Sequence, residues 1–150
     1  MERDAARKIE WDCTQLILKF YGCLDEKRYD ELVELFAGDG VWVRLGKELA
    51  GKEQIRAAMD ERNDWLTVHV VTNVRIDIIA ADRADTTQYI TLYRHEGWAA
   101  TAGPAPVVLP LGILRHRDQL VRQSDAWKFK CKTSRAIMVN RERVTHYDKP

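Results

Sequence analysis

The segment from Thr67 to Ile79 (Thr-Val-His-Val-Val-Thr-Asn-Val-Arg-Ile-Asp-Ile-Ile) is the longest run of β-branched residues in the chain. Such residues favour strands, in which successive side chains point to opposite faces. His69, Val71 and Asn73 then share one face, and the other face is almost wholly apolar unless a bulge changes the parity. The pattern predicts a central strand between a core and a cavity, with His69 in the cavity lining.

Hydrophobic periodicity predicts three helices before the main strands. Apolar residues at offsets of three and four predict helices over 4–24, 29–37 and 52–62. Alternating patterns predict strands over 41–45, 67–79, 85–95, 111–122 and 127–139. Helices followed by an antiparallel meander are typical of an α+β fold. A curved antiparallel or mixed sheet wrapped around the three helices would form a cone with a pocket at its mouth.

Bulk composition restricts the class of protein. A chain of 150 residues predicts a single domain over 1–150, with 140–150 as a polar tail. The net charge of +1 gives no electrostatic reason to expect nucleic acid or an anionic membrane as partner. Three cysteines without CxxC spacing, and an N-terminus without an apolar signal segment, predict reduced thiols and a cytoplasmic protein.

Asp25 stands in or just past the last turn of the first predicted helix. A carboxylate at this end is disfavoured by the helix dipole, so it needs water, a cation or a proton. A buried carboxylate beside an imidazole can share a proton and serve as a general acid–base pair. We predict that Asp25 reaches His69 from this helix. The alternative is a solvated helix-end carboxylate and a hydrogen-bonded core histidine.

Several segments, in order, resemble the SnoaL-like branch of the nuclear-transport-factor-2-like superfamily, which has a cystatin-like α+β cone fold. They are Leu24–Trp42, Gly51–Ile55, His69–Ile76 and Asp118–Phe129. The resemblance implies this cone fold, association of copies through the open face of the sheet as a homodimer or a higher homo-oligomer, and a small hydrophobic ligand. Together these segments span nearly the whole chain.

Within that family, enzymes of the scytalone-dehydratase and bile-acid-dehydratase type use an aspartate at the end of the first helix and a histidine on the strand after the third helix. Asp25 and His69 match these positions. His95 and His116 are both candidates for the second histidine of scytalone-type sites. Asp118 is a candidate for the late-strand aspartate that polyketide cyclases of this group use. The resemblance thus implies a cofactor-free lyase or isomerase acting on a small hydrophobic cyclic substrate.

Further side chains are candidates for the pocket lining or for orienting a ligand. They are Tyr21, Tyr29, Trp42, Asn73, Tyr89 and Trp98. A tyrosine hydroxyl could polarise a substrate carbonyl, with Tyr93 a further candidate for this role. Core or interface burial is the simpler interpretation of each tryptophan. Lys128, Lys130 and Lys132 alternate with apolar residues and predict a solvated basic row.

The sequence contains no motif for metal, nucleotide or serine-nucleophile chemistry. The four histidines lack metal-ligand spacing, and no glycine-rich nucleotide loop or serine nucleophile motif is present. We therefore expect no metal and no cofactor. Two alternatives remain open: a non-catalytic ligand-binding or association domain of the same fold, and the small subunit of a ring-hydroxylating dioxygenase.

Overall fold

The computed structural model describes residues 2–98 and 102–143. Its helices are α1 (Arg3–Asp25), α2 (Tyr29–Glu34) and α3 (Gly51–Asp60). Its strands are β1 (Phe36–Arg44), β2 (Lys47–Ala50), β3 (Leu66–Ala80), β4 (Arg83–His95), β5 (Gly112–Gln123) and β6 (Ala126–Val139). The predicted α+β cone is confirmed. Residues 144–150 of the predicted polar tail lie outside the described residues.

The six strands form one mixed sheet in the order β2-β1-β6-β5-β4-β3. β1 and β6 are parallel, and every other neighbouring pair is antiparallel. The segment 67–79 therefore forms the edge strand β3, and its prediction as a central strand is wrong. Its outward apolar side chains are not covered: Val68 is 46% exposed and Val70 is 42% exposed.

A bulge divides β3 into two parts of opposite parity. The pairing register with β4 shifts between Thr72 and Arg75, and Asn73 adopts a left-handed φ of 53°. Thr67 and His69 face the helices before the bulge, whereas Val74 and Ile76 pack against the core after it. Because the bulge places Asn73 on the surface, the predicted face of His69, Val71 and Asn73 is not continuous.

The core lies between α1 and the concave face of the sheet. Phe20 of α1 is fully buried and makes edge-to-face contacts with Phe36, Trp42 and Phe129, at centroid distances of 6.0, 5.3 and 5.4 Å. Aromatic pairs in this geometry add to the free energy gained by area burial. The cluster fixes α1 across the sheet, and the C-terminal end of the helix points toward β3.

The second helix is shorter than its predicted span of 29–37, because Phe36 already belongs to β1. Phe36 pairs with Phe129 of β6, and the Phe129 N–H donates to the Leu35 carbonyl at 2.9 Å. The close passage of β1 over β6 also needs Gly40, since a Cβ there would lie 2.8 Å from the Phe129 carbonyl oxygen. Pairing with β6 therefore outweighs the helical pattern of this segment.

No helix in the described part of the chain is both long and apolar enough to cross a membrane. Cys13, Cys23 and Cys131 are free thiols, and the first two are fully buried.

Candidate functional site

The C-terminal end of α1 places Asp25 against the sheet edge. Lys27 adopts a left-handed φ of 58°, and the Arg28 N–H donates to the Cys23 carbonyl at 2.8 Å. This pairing is the six-to-one hydrogen bond of a Schellman C-cap, which ends the helix directly after its last turn. Asp25 is therefore held on a fixed turn rather than on a free loop.

Three donors from β3 satisfy the Asp25 carboxylate. Oδ1 accepts from the Thr67 hydroxyl at 2.9 Å and lies 2.5 Å from His69 Nδ1, and Oδ2 accepts from the His69 backbone N–H at 2.8 Å. The backbone donor is free because β3 has no neighbouring strand on its outer side. These bonds offset the unfavourable position of a carboxylate at a helix C-terminus.

Asp25 and His69 thus form a direct carboxylate–imidazole pair, and both side chains are largely shielded from solvent. The side chain of His69 is 9% exposed, and that of Asp25 is 21% exposed. A carboxylate on Nδ1 favours the imidazole tautomer with its proton there, which leaves Nε2 as the basic nitrogen. No described residue hydrogen-bonds Nε2. The structure therefore brings the two predicted residues together, while their catalytic role stays a prediction.

His69 lines a cavity of about 620 Å³. Its deep part is aromatic and apolar, with Phe20, Tyr21, Trp42 and Leu114. The volume falls within the range of roughly 300–1,000 Å³ typical of small-molecule sites. The predicted hollow is present, at the mouth of the cone.

Tyr21 lies between the two histidines of this cavity. Its ring centroid is 5.4 Å from that of His69 and 5.8 Å from that of His116. Burial raises the pKa of Tyr21 well above its usual value, and the charges of Asp118 and Asp25 add to the increase, while a contact with the Gln88 amide opposes it. The phenol is therefore neutral, and its buried hydroxyl makes no hydrogen bond of ordinary geometry with a described residue.

His116 on β5 also lines the cavity, and it is 7% exposed. Burial lowers the pKa of His116 well below its usual value, with further lowering by Lys132 and His69. It is a neutral imidazole, and its buried Nδ1 has no hydrogen-bond partner among the described residues. Of the two candidates for a second histidine, His116 faces the cavity, whereas His95 packs against Trp98 at 5.3 Å.

The other predicted lining residues divide into two groups. Trp42 lines the cavity together with Tyr21. The rest are absent from its lining: Tyr29, Asn73, Tyr89 and Trp98. Tyr29 accepts a hydrogen bond from Arg62, which does line the cavity, and Trp98 donates to the Gly103 carbonyl. Asn73 is placed on the surface by the β3 bulge.

A buried polar network beneath the aromatic residues was not predicted. Lys132 Nζ donates to Asp118 Oδ2 at 2.9 Å, and the Gln88 amide donates to the same oxygen at 2.6 Å. Lys132 is fully buried, with its ammonium 4.5 Å from the Phe20 ring centroid and 5.0 Å from that of Tyr21. Burial lowers the pKa of Lys132, and Asp118 opposes this decrease.

The prediction of a solvated basic row is therefore wrong for Lys132. The β5–β6 register shifts between Gln119 and Leu120, whose partners are Cys131 and Phe129, so that Lys130 is an extra residue. This bulge turns the following side chains by one position and directs Lys132 inward. The one member of this network that the sequence indicated as a candidate is Asp118, which lies opposite Lys132 in the strand pairing.

In the described part of the chain, no three histidine, cysteine or acidic side chains are grouped so that they could hold a metal ion.

A family model for the SnoaL-like domain matches residues 7–133. The chain belongs to the SnoaL-like family. The match covers α1 and nearly the whole sheet, and it includes Asp25 and His69. No match was found among the curated proteins.

Solved structures with the same fold are distant in sequence from this SnoaL-like protein. One, described as a candidate scytalone dehydratase from Novosphingobium aromaticivorans DSM 12444, is 19% identical with a TM-score of 0.79, and the match covers 95% of this chain and 93% of that one. The hexachlorocyclohexane dehydrochlorinase LinA-type3 from Novosphingobium barchaimii LL02 is 15% identical with a TM-score of 0.75, with 93% of each chain covered. A cystatin-like protein of unknown function from Nostoc punctiforme PCC 73102 is 19% identical with a TM-score of 0.70, over 84% of this chain and 89% of that one. At these identities the likeness shows the fold.

Proposed function

We propose that this SnoaL-like protein is a cofactor-independent lyase or isomerase for a small hydrophobic cyclic substrate, with Asp25 and His69 as its acid–base pair. The observation that carries the proposal is the 2.5 Å contact between His69 Nδ1 and Asp25 Oδ1 at the wall of an aromatic cavity. Names of structural neighbours, a dehydratase and a dehydrochlorinase, are consistent with an elimination.

The proposed reaction moves one proton through His69. Nε2 takes a proton from the carbon next to a substrate carbonyl, and the resulting imidazolium is stabilised by the Asp25 carboxylate. In a dehydration, the electrons of the broken C–H bond form the new double bond, and the leaving hydroxyl departs as water with the proton that His69 returns. In an isomerisation, the proton is returned to another carbon of the same substrate.

The cavity supports both steps through the aromatic part of its wall. Phe20 and Trp42 line the cavity together with His69, and electrostatic interactions are stronger beside apolar groups than in water. His116 is neutral, so it adds no second positive charge that would compete for the Asp25 carboxylate.

The proposal can be tested by proton NMR in deuterium oxide with a panel of cyclic β-hydroxy ketones and cyclic enones, without added metal or cofactor. We expect deuterium to enter the carbon next to the carbonyl, and a double bond to form or migrate in at least one compound. Binding without any exchange or turnover across the panel would instead support the non-catalytic ligand-binding alternative.

We also propose that two copies associate through the outer surface of the sheet. On this surface Val68 lies opposite Tyr93 across the strand pair, and Val70 lies opposite Thr91, which is itself opposite Ile113. The partly exposed valines form an apolar patch on this surface that a monomer would leave in water. Sedimentation equilibrium is expected to give twice the 17.4 kDa chain mass, and a lower apparent mass for Val68→Lys. A wild-type monomer at all concentrations would contradict this.

A further inference from the structure

The polar part of the cavity lining has a strong bias in charge. Four arginines line it: Arg44, Arg62, Arg94 and Arg143. Among the described residues, a single acidic side chain, Glu61, lines it with them, although the chain as a whole carries a net charge of only +1. All four arginines are half-buried, so part of each guanidinium group is withdrawn from water.

Among the described residues, three of these arginines, Arg62, Arg94 and Arg143, have few anionic partners. Arg62 donates to the Leu24 carbonyl and the Tyr29 hydroxyl, and Arg143 donates to the Leu109 and Arg94 carbonyls. Neither makes an ion pair with a described carboxylate. Arg94 pairs with Glu96 through Nη2, while its Nε has no partner among the described residues. The carbonyl groups therefore orient the guanidinium groups of Arg62 and Arg143 without neutralising their charge.

The arginines also stand at a defined place relative to the proposed base. Arg94 on β4 lies opposite Thr67 on β3, and Leu92 lies opposite His69, so Arg94 is two residues along the strand from the row of His69. Two residues of a strand span about 7 Å, which is close to the length of a six-membered ring with one substituent. Arg143 joins Arg94 through its bond to the Arg94 carbonyl at 2.8 Å.

Arg94 is held in a fixed orientation on this wall. Its guanidinium carbon lies 4.2 Å from the ring centroid of Trp65, which also lines the cavity. A guanidinium that is stacked on an aromatic ring and tied to a carboxylate at one nitrogen has lost most of its rotamer freedom before a ligand arrives. Such a group binds a carboxylate or phosphate at a smaller entropic cost than a free surface arginine.

We infer that the substrate of this pocket is an apolar ring that carries an anionic group, and that Arg94 and Arg143 bind this group while the ring lies against His69. The inference rests on the proposed function for the role of His69, but binding of the anion does not require turnover. A carboxylate and a phosphate share the chemistry that these arginines recognise.

The experiment uses a matched pair of fluorescent probes that differ by one charge. 1-Anilinonaphthalene-8-sulfonate is an apolar anion, and N-phenyl-1-naphthylamine is the same ring system without the sulfonate. We expect the protein to bind the anionic probe roughly tenfold more tightly than the neutral probe, as one charge-assisted contact would give. Displacement by 2-naphthoate and by 2-naphthyl phosphate then shows which anion the site prefers.

Variants locate the effect and separate it from catalysis. Arg94→Gln and Arg143→Gln should each reduce the preference for the anion to less than about threefold, as loss of one such contact implies. Arg83→Gln is the matched control, because Arg83 is also on β4 but outside the cavity lining. His69→Ala should abolish turnover while keeping the preference for the anion. If one arginine variant unfolds, which circular dichroism detects, the other still reports the contact.

Equal binding of the two probes by the wild-type protein would overturn the inference, as would binding of neither probe. A preference that survives in both arginine variants, or that is lost equally in Arg83→Gln, would also overturn it. Absence of turnover with the preference intact would reject the proposed function and leave an anion-selective binding pocket.

Discussion

Replacing His69 with alanine is expected to lower kcat/KM by about 100- to 10,000-fold on the substrate of this pocket, because the general base is removed. The cavity should still bind ligand, since Phe20, Trp42 and His116 keep their positions in its wall. The loss should therefore appear in kcat rather than in KM. Steady-state kinetics with the wild type and the variant measure the difference.

Asp25→Asn should cause a loss of similar size for a different reason. An amide in place of the carboxylate can donate to Nδ1, which moves the imidazole proton to Nε2 and leaves no basic nitrogen toward the cavity. It also removes the negative charge that stabilises the imidazolium.

Asp12→Asn provides the matched control on the same helix, since Asp12 pairs with Lys8 near the surface and lies outside the cavity lining. We expect it to retain wild-type kinetics. If Asp25→Asn and His69→Ala both keep kcat/KM near the wild-type value, the assignment of the pair is wrong. A double variant that is no worse than either single variant would show that the two residues act as one unit.

Lys132→Met should lower the free energy of unfolding by about 3–5 kcal/mol, the usual effect of removing one partner of a buried ion pair. Lys132 and Asp118 are both fully buried as side chains, and Asp118 Oδ1 already lacks a hydrogen-bond partner among the described residues. Without the ammonium, the Asp118 carboxylate would keep only the Gln88 amide donor. Urea unfolding followed by tryptophan fluorescence measures the change.

Lys128→Met and Lys130→Met are natural controls, because all three lysines belong to the same alternating segment. Lys130 contacts Asp39 near the surface, and loss of such an exposed pair changes stability little. The double variant Lys132→Met/Asp118→Leu should recover most of the lost stability, since it leaves no unpaired charge. Three lysine variants of equal stability would contradict the buried position of Lys132.

Much of the fold follows from local pattern. The helix over 4–24 and the strands from residue 85 onward are predicted within a few residues of their observed bounds, because their apolar periodicity agrees with the packing that they adopt. The pairing of Asp25 with His69 came from the position of the acid at a helix end and from the family resemblance. Neither signal predicts the distance between the two side chains. That distance depends on the packing of the end of α1 against the edge strand β3.

The features that the sequence did not reveal depend on bulges and on contacts between distant elements. One extra residue at Lys130 reverses the alternation of side chains along β6 and buries Lys132. A bulge near Asn73 reverses the alternation along β3. No composition or spacing marks either position. The arginines of the cavity come from β1, the α3–β3 connection, β4 and the segment after β6, so only the folded chain brings them together.

Asp25 also connects α1 to the sheet through hydrogen bonds. Oδ1 accepts a hydrogen bond from the Thr67 hydroxyl, and Oδ2 accepts one from the His69 backbone N–H. Both residues belong to β3, which has no neighbouring strand on that side. The residue that contacts the imidazole is therefore also one that ties the edge strand to α1. A substitution that removes the carboxylate at position 25 therefore removes the contact with the imidazole and both of these hydrogen bonds to β3 at once.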